Sequence, residues 1–434
     1  MRNLFIPFLF SVACLFCACE NSMTDVVTYN INEPVLMPLS EFRSSVNVAD
    51  QPVEISRQGK MCFYNGYLYI SEPEKGIHII DNQDPAAPKN IGFIELLGNA
   101  DMAIRNDLLY ADAFIDLVWF DIQNPVKPEL KGRLENVFPQ GLPEIPNGFG
   151  CDYSQMNGKT ESLVVGWKLV QRTEKVEQYY KGGYYYEDAA RPQLSSKKSG
   201  MSTGATGSMA RFSMYQNYMD KETATNGQSQ DYMYAVIDNM LTIFDLSDNT
   251  PKKAVESIYI GYNVETIFNY EDKLFMGTPF GLLIYSIENP LSPRYRSYIS
   301  HVWGCDPVVV ENNIAYVTVH AGNFCGQNFN DLIIIDVNDV DNPRHIVSYA
   351  MTKPKGLGID QGTLFICDDG LKIYDATDPL TLMGKRLAHY SGMDGYDVIP
   401  FNNVLMMIAE DGIYQYDYTD LNQIKQLSKI GIRK

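Results

Sequence analysis

Residues 76–96 read GIHIIDNQDPAAPKNIGFIEL. An alternating apolar run ends in Asp, passes through Asp-Pro and a second Pro, and resumes as another apolar run. Alternation with period two marks a half-buried strand, and an Asp/Asn-Pro cluster marks a turn or connection. The phrase returns as DLVWFDIQNPVKP at 116–128, MLTIFDLSDNTPK at 240–252, GLLIYSIENPLSP at 281–293, DLIIIDVNDVDNP at 331–343 and GLKIYDATDPLTL at 370–382. The residues that end these strands are Asp81, Asp121, Asp245, Ser286, Asp336, Asp375 and Asp417.

A second signal lies upstream of each phrase, where a turn is followed by a short strand, as in NGYLYIS and NDLLYAD. GKTESLVVGW, inside the long gap between the second and third phrases, fits the same template. Taking Tyr69, Tyr110, Val164, Tyr234, Phe275, Tyr316, Phe365 and Met406 as equivalent gives intervals of 41, 54, 70, 41, 41, 49 and 41 residues. A period near forty with four strand-length segments is the mark of a β-propeller blade. The expectation is an all-β propeller of four-stranded antiparallel blades, eight favoured and seven the runner-up. Radial closure leaves only short strand edges. The Asp-Pro phrase itself reads as the connector crossing from one blade to the next, with the Asp bonding nearby backbone and the prolines holding the chain extended.

These phrases, with PKGLGIDQGTLFICDDGLKIYDATDP at 354–379, resemble the LVIVD-repeat family of exported bacterial proteins, in particular its lipoprotein members. The resemblance implies a cell-envelope propeller and no settled enzymatic role. Ser286 stands where the pattern has Asp, and the third unit lacks the Pro pair.

The N-terminus, MRNLFIPFLFSVACLFCAC, has one Arg and then an apolar run from Leu4 to Phe16, too short to span a bilayer and placed like the apolar core of an export signal. It resembles a lipoprotein signal with Cys19 as the lipidated residue; Cys14 is the alternative. Residues 1–18 are therefore read as a signal peptide and 19–58 as a leader of Pro-punctuated coil with a short helix from about Ser40. Residues 59–434 are read as the propeller. The expected address is the outer membrane, lipid-anchored at the cell surface, with the lipid as the sole membrane contact. If Cys19 is lipidated, Cys62, Cys151, Cys305, Cys325 and Cys367 remain. Cys305 and Cys325 lie in one unit and are the candidate disulfide, with buried free thiols as the alternative.

The formal net charge of −18 repels phosphate backbones and excludes nucleic acid as a partner. The five His residues are scattered without paired zinc spacing. GMSTG at 200–204 matches a nucleophile elbow only in letters, because Ser202 sits in a Gly/Ser tract instead of between a strand and a helix. No catalytic residue is assigned. The insertion 179–207 is Tyr-rich and then Gly/Ser-rich, and Tyr179, Tyr180, Tyr184, Tyr185 and Tyr186 are its candidate contacts for a protein or glycan. It is read as leaving from the same face as the loop 219–230. On the opposite face, inner strands begin near Asp101, Cys151, Glu265, Asp306, Lys355 and Asp394, a channel mouth whose carboxylates suit a calcium ion. Two functional classes follow: a non-enzymatic binding scaffold, and a carbohydrate-active enzyme with acids in the central cleft. A purely structural envelope role is the third reading.

Overall fold

A computed structural model describes residues 26–138, 142–145, 147–156, 160–175, 205–206, 208–209, 211–217, 230–237, 239–246, 250–253, 257–261, 264–300, 307–320 and 330–433. The first blade is built from Met61–Tyr64, Tyr67–Glu72, Gly76–Asp81 and Lys89–Glu95, hydrogen-bonded in that order from the axis outward. Six more blades repeat this order over 102–134, 212–259, 266–300, 308–350, 357–390 and 395–431. The propeller of four-stranded antiparallel blades is as expected, and its count is seven, the runner-up.

The eighth unit fails for a definite reason. Val164 belongs to Ser162–Lys175, which pairs antiparallel with Val26–Pro38, from Val26 opposite Lys175 to Pro38 opposite Ser162. These two strands form a separate ribbon, so the leader is strand up to Pro38 instead of coil. The helix Leu39–Ser44 follows as expected. It is tied down by Phe42, buried between the first two blades, and by Arg43, whose Nε bonds Asp116 Oδ2 at 2.9 Å. The other seven marker residues occupy matching places, each on the second strand of its blade.

The opening phrase is corrected as well. It does not cross between blades; it is the hairpin joining the third and outermost strands of one blade, with Asp81 opposite Lys89, Asp121 opposite Glu129 and Asp336 opposite Arg344. The strand-ending side chain accepts the N–H two residues on, and the Asp or Asn three residues later repeats the bond. In the first blade Asp81 takes Gln83 and Asp84 takes Ala86, at 3.2 and 3.0 Å. In the last Asp417 takes Thr419 and Asp420 takes Asn422, at 2.9 and 3.0 Å. Two consecutive side-chain turns of this kind need an oxygen at both positions, which is why Asp, Asn and Ser recur there. Ser286 makes the bond too, from Glu288 N–H to its hydroxyl at 3.3 Å. In the first, second, fifth, sixth and seventh blades the first-to-second strand hairpin is a two-residue turn with both central residues at positive φ, as at Asn65 (47°) and Gly66 (82°), the twist-matched type that Asn and Gly favour.

Alternation within a strand feeds opposite interfaces. Ile77 and Ile79 pack toward the second blade, and Ile80 packs toward the seventh. The core is accordingly a series of apolar layers, one at each of the seven blade-to-blade interfaces. Each terminal blade is a continuous stretch of sequence, so the ring closes by face packing of Ile70 and Ile80 on Ile399 and Ile408. The first blade carries two extra strands: Asn47–Val48 on its outer edge and Ala205–Thr206 on its inner edge.

Candidate functional site

Links from an outermost strand to the next inner strand emerge on the face that also carries the second-to-third strand turns. The link 96–101 crosses from the first blade to the second; the corresponding link from the second to the third is 135–211. The long excursion therefore leaves from the outer edge of the second blade, on the face that carries the channel mouth. The connection between Phe212–Asn217 and Gln230–Ile237 joins strands at their other ends, so the expectation that both insertions share one face is overturned. The insertion 179–207 falls within the link 135–211, between two blades. Tyr179, Tyr180, Tyr184, Tyr185 and Tyr186 lie outside the described residues, as do Cys19, Asp306 and the Cys305–Cys325 pair. Cys62, Cys151 and Cys367 are free thiols. Burial pushes the Cys62 and Cys367 thiols up, which keeps them protonated and unreactive.

The mouth is occupied by the end of the excursion. Ala205 and Thr206 pair with Phe63 and Cys62. Ser208 donates its N–H and hydroxyl to Asp397 Oδ1 at 3.1 and 3.3 Å, and its hydroxyl oxygen accepts Leu357 N–H at 2.8 Å. Lys60 Nζ donates to the Met209 carbonyl at 2.9 Å. Arg211 gives its N–H to Asp101 Oδ2 and an Nη2 hydrogen to Asp112 Oδ2, both at 2.9 Å. Phe212 then opens the third blade. Within a few residues the chain touches the first, second, sixth and seventh blades. Gly356 is required beside it, since a Cβ there would stand 2.2 Å from Asp397 Oδ1.

This mouth is polar and almost dry. Lys60, Asp101, Asp112, Ser208 and Asp397 are all buried. Burial lifts the Asp397 carboxyl to about 6, against the pull of hydrogen bonds from Val398 and Ser208 and of the Lys60 charge. Asp112 is raised by burial, opposed by the Arg211 guanidinium and by the N–H groups of Ala100 and Asp101. Lys60 is driven well below its ordinary value by loss of hydration, with Asp101 pulling the other way. Asn99 braces the site, donating to the carbonyl of Asp101 at 2.9 Å and accepting the Ser71 hydroxyl at 2.7 Å.

Of the sequence candidates, Asp101 sits inside this cluster. Lys355 and Asp394 form an ion pair of 2.6 Å beside it, with Asp394 half exposed. Glu265 heads the fourth blade and is joined to Gly277 through its backbone. Lys60, Asp112, Ser208, Arg211 and Asp397 were not identified from sequence; the one hint was that Asp397 follows Asp394 by three positions. Among the described residues, no group of three or more His, Cys, Asp or Glu side chains converges to hold a metal ion.

A second polar cluster lies at the rim of the same face. Glu72 receives Ser56 Oγ at 2.6 Å, Lys75 Nζ at 2.5 Å and His78 Nε2 at 2.9 Å. Burial raises its carboxyl, but these donors outweigh burial and hold it well below the ordinary range. A shallow recess of about 530 Å³ opens over Glu72, Ser56, Lys75, Phe93 and Arg433. Among the described residues, no helix is long and apolar enough to cross a membrane.

The fold and its closed mouth define a seven-bladed β-propeller with an internally plugged channel. Its neighbours among solved structures are propellers too. A crystallised protein from Lactobacillus plantarum superposes with a TM-score of 0.53 at 8% identity, covering 87% of this chain and 97% of that one. Hsv2 of Kluyveromyces lactis gives 0.45 at 10% identity, over 87% and 99% of the two chains. Apo AztD of Citrobacter koseri gives 0.41 at 12% identity, over 88% and 96%. At these identities the likeness concerns the fold alone. No family model and no curated protein matches the chain.

Proposed function

We propose that this chain is an exported, lipid-anchored propeller of the cell envelope, akin to the LVIVD-repeat lipoproteins, and acts as a non-enzymatic binding scaffold for a protein or glycan. The observation that carries the reading is the plugged mouth. Asp101, Asp112 and Asp397, the buried acids around the axis, are engaged with the chain's own Ser208 and Arg211. Acid chemistry on a sugar needs a carboxyl pair facing the glycosidic bond. Variable chemistry in propellers resides in loops, and here the excursion 135–211 leaves and rejoins the ring on one face. Cys19 precedes the first described strand, Val26–Pro38, by a few residues, so a lipid there would hold that ribbon near the membrane.

The test uses intact cells. Capture with the native protein is compared with capture by a variant in which residues 181–200 are exchanged for a Gly/Ser linker. The expected result is one partner retained by the first and lost by the second; equal capture of every partner removes the assignment to the excursion. Cys19→Ala is expected to move the protein from the detergent phase to the aqueous phase, and protease shaving reports surface exposure. The carbohydrate-active reading keeps one observation, the half-exposed Asp394 at the mouth. Turnover of any polysaccharide by native protein, lost in Asp306→Asn or Asp394→Asn, would establish it instead.

A further inference from the structure

We propose that a recess between the fifth and sixth blades, on the face opposite the channel mouth, binds a phenol: an aromatic ring seated against Ala376 with its hydroxyl donated to Glu311. The argument starts from a position that recurs in every blade, the residue after the third strand. Its N–H donates to the carbonyl three residues before that blade's marker, from Asn82 on Gly66 to Tyr418 on Asn403, at 2.7 to 3.0 Å. Its side chain faces the preceding blade. Ile122, Leu246, Ile287 and Val337 fill their interfaces with apolar side chains, and Asn82 meets Gln415. Tyr418 fills the interface between the sixth and seventh blades with a phenol. Its ring lies against Phe365, centroids 4.9 Å apart, and its hydroxyl donates to Asp360 Oδ2 at 2.8 Å.

Ala376 is the smallest residue of the seven, and its interface keeps the other half of that arrangement. Tyr316 stands where Phe365 stands, and Glu311 ends the inner strand of the fifth blade as Asp360 ends that of the sixth. The space a larger side chain would take is an open recess of about 280 Å³, lined by Glu311, Ile314, Tyr316, Gln361, Ala376 and Thr377 among others. Glu311 is held at its edge, Oε2 accepting the Gly362 N–H at 2.7 Å, and its carboxylate retains lone pairs for a further donor. The Tyr316 hydroxyl is turned to the Ala376 carbonyl at 3.3 Å, so it does not take that place. Gln361 and Thr377 are exposed, so the recess opens to water. A ring gains from the walls of Ile314, Tyr316 and Ala376, and its hydroxyl from an ionised acceptor, the stronger kind of hydrogen bond. A ring without the hydroxyl covers the carboxylate and gives it no donor. The inference goes beyond the binding reading and lies on the other face from the excursion.

The test titrates p-cresol and toluene into the full chain and follows the Ile314 methyl signal by NMR. p-Cresol is expected to bind with a dissociation constant on the order of 1 mM, the range of so small a ligand, and toluene about tenfold more weakly. Glu311→Gln is expected to cost p-cresol about tenfold and to leave toluene unchanged. Ala376→Tyr, which supplies the chain's own phenol as Tyr418 does, is expected to abolish binding. Should that variant not fold, Ala376→Ile, the residue of the second and fourth blades at this position, fills the recess instead. Binding of N-acetyltyrosinamide as tightly as p-cresol would make a polypeptide tyrosine the source of the phenol; binding of p-cresol alone would make it a free phenol. No saturable shift with p-cresol, toluene binding equally well, or p-cresol binding undiminished in the filled variant would overturn the proposal. Its failure would leave the capture result on cells untouched.

Discussion

Asn82 and Gln415 exchange two side-chain hydrogen bonds across the seam between the first and last blades, Asn82 Nδ2 to Gln415 Oε1 at 2.9 Å and Gln415 Nε2 to Asn82 Oδ1 at 2.6 Å. Both amides are buried. The closing seam is therefore keyed by a reciprocal pair as well as by apolar packing. Gln415→Leu strands the Asn82 amide in a dry interface and is expected to cost about 2 kcal/mol in chemical denaturation. Replacing both with Leu is expected to recover part of that loss, since no polar group is then left unpaired. A double variant no more stable than the single would contradict the seam's account.

Asp397 predicts a pH dependence. Its ordinary value is 3.8 and burial lifts it to about 6 in the fold. The folded protein thus holds a proton that the unfolded chain releases, so this group's contribution is complete below about pH 4 and is lost as pH rises through 6. Asp397→Asn is expected to gain stability relative to the native protein across that window, by about 3 kcal/mol at most. Denaturation at pH 4 and pH 7 checks it; an equal difference at both pH values would contradict it.

Glu72 behaves in the opposite sense. Its carboxyl is held below the ordinary 4.5 by donors from His78, Lys75 and Ser56 despite burial. Its contribution is present above about pH 4.5 and disappears as pH falls below it. Glu72→Gln is expected to destabilise by about 2–4 kcal/mol at pH 7, because the charged acceptor of a buried network is lost. At pH 3 the penalty is expected to shrink, as measured by thermal or denaturant unfolding.

Ser286 is the one hydroxyl among the described hairpin positions that otherwise carry Asp, and its bond to Glu288 is long at 3.3 Å. Its cross-strand partners are Lys273 and Arg294. Ser286→Asp should shorten the turn bond and place an anion between two cations, raising stability by about 0.5 kcal/mol at low salt and less at high salt. No gain at low salt would mean that the hairpin does not depend on this acceptor.

The repeat was readable because each blade is a local object. Alternation in GIHIID, the Asn-Gly turn at 65–66 and the paired side-chain turns at Asp81 and Asp84 act within a few residues, so they leave a trace at a fixed period. That trace is ambiguous in one respect. LVVGW at 163–167 obeys the same alternation, but its partner is Val26–Pro38, some 130 residues earlier, and nothing local distinguishes a ribbon strand from a blade strand. The Asp-Pro phrase was misplaced for a related reason: a turn looks the same whether the next strand joins its own sheet or a neighbouring one.

The mouth was only partly readable. Asp101 and Asp394 were reached by counting to the starts of inner strands, whereas Lys60, Asp112, Ser208, Arg211 and Asp397 come from four separate parts of the chain and meet only once the ring closes. By itself, the order of residues determined that strands form, that they recur, and that oxygen-bearing side chains end every third strand, because those choices are settled by backbone sterics and short-range hydrogen bonds. The number of blades, the plug at the axis and the buried charges around it were decided by tertiary structure, because closing the ring fixes which distant groups lose water together.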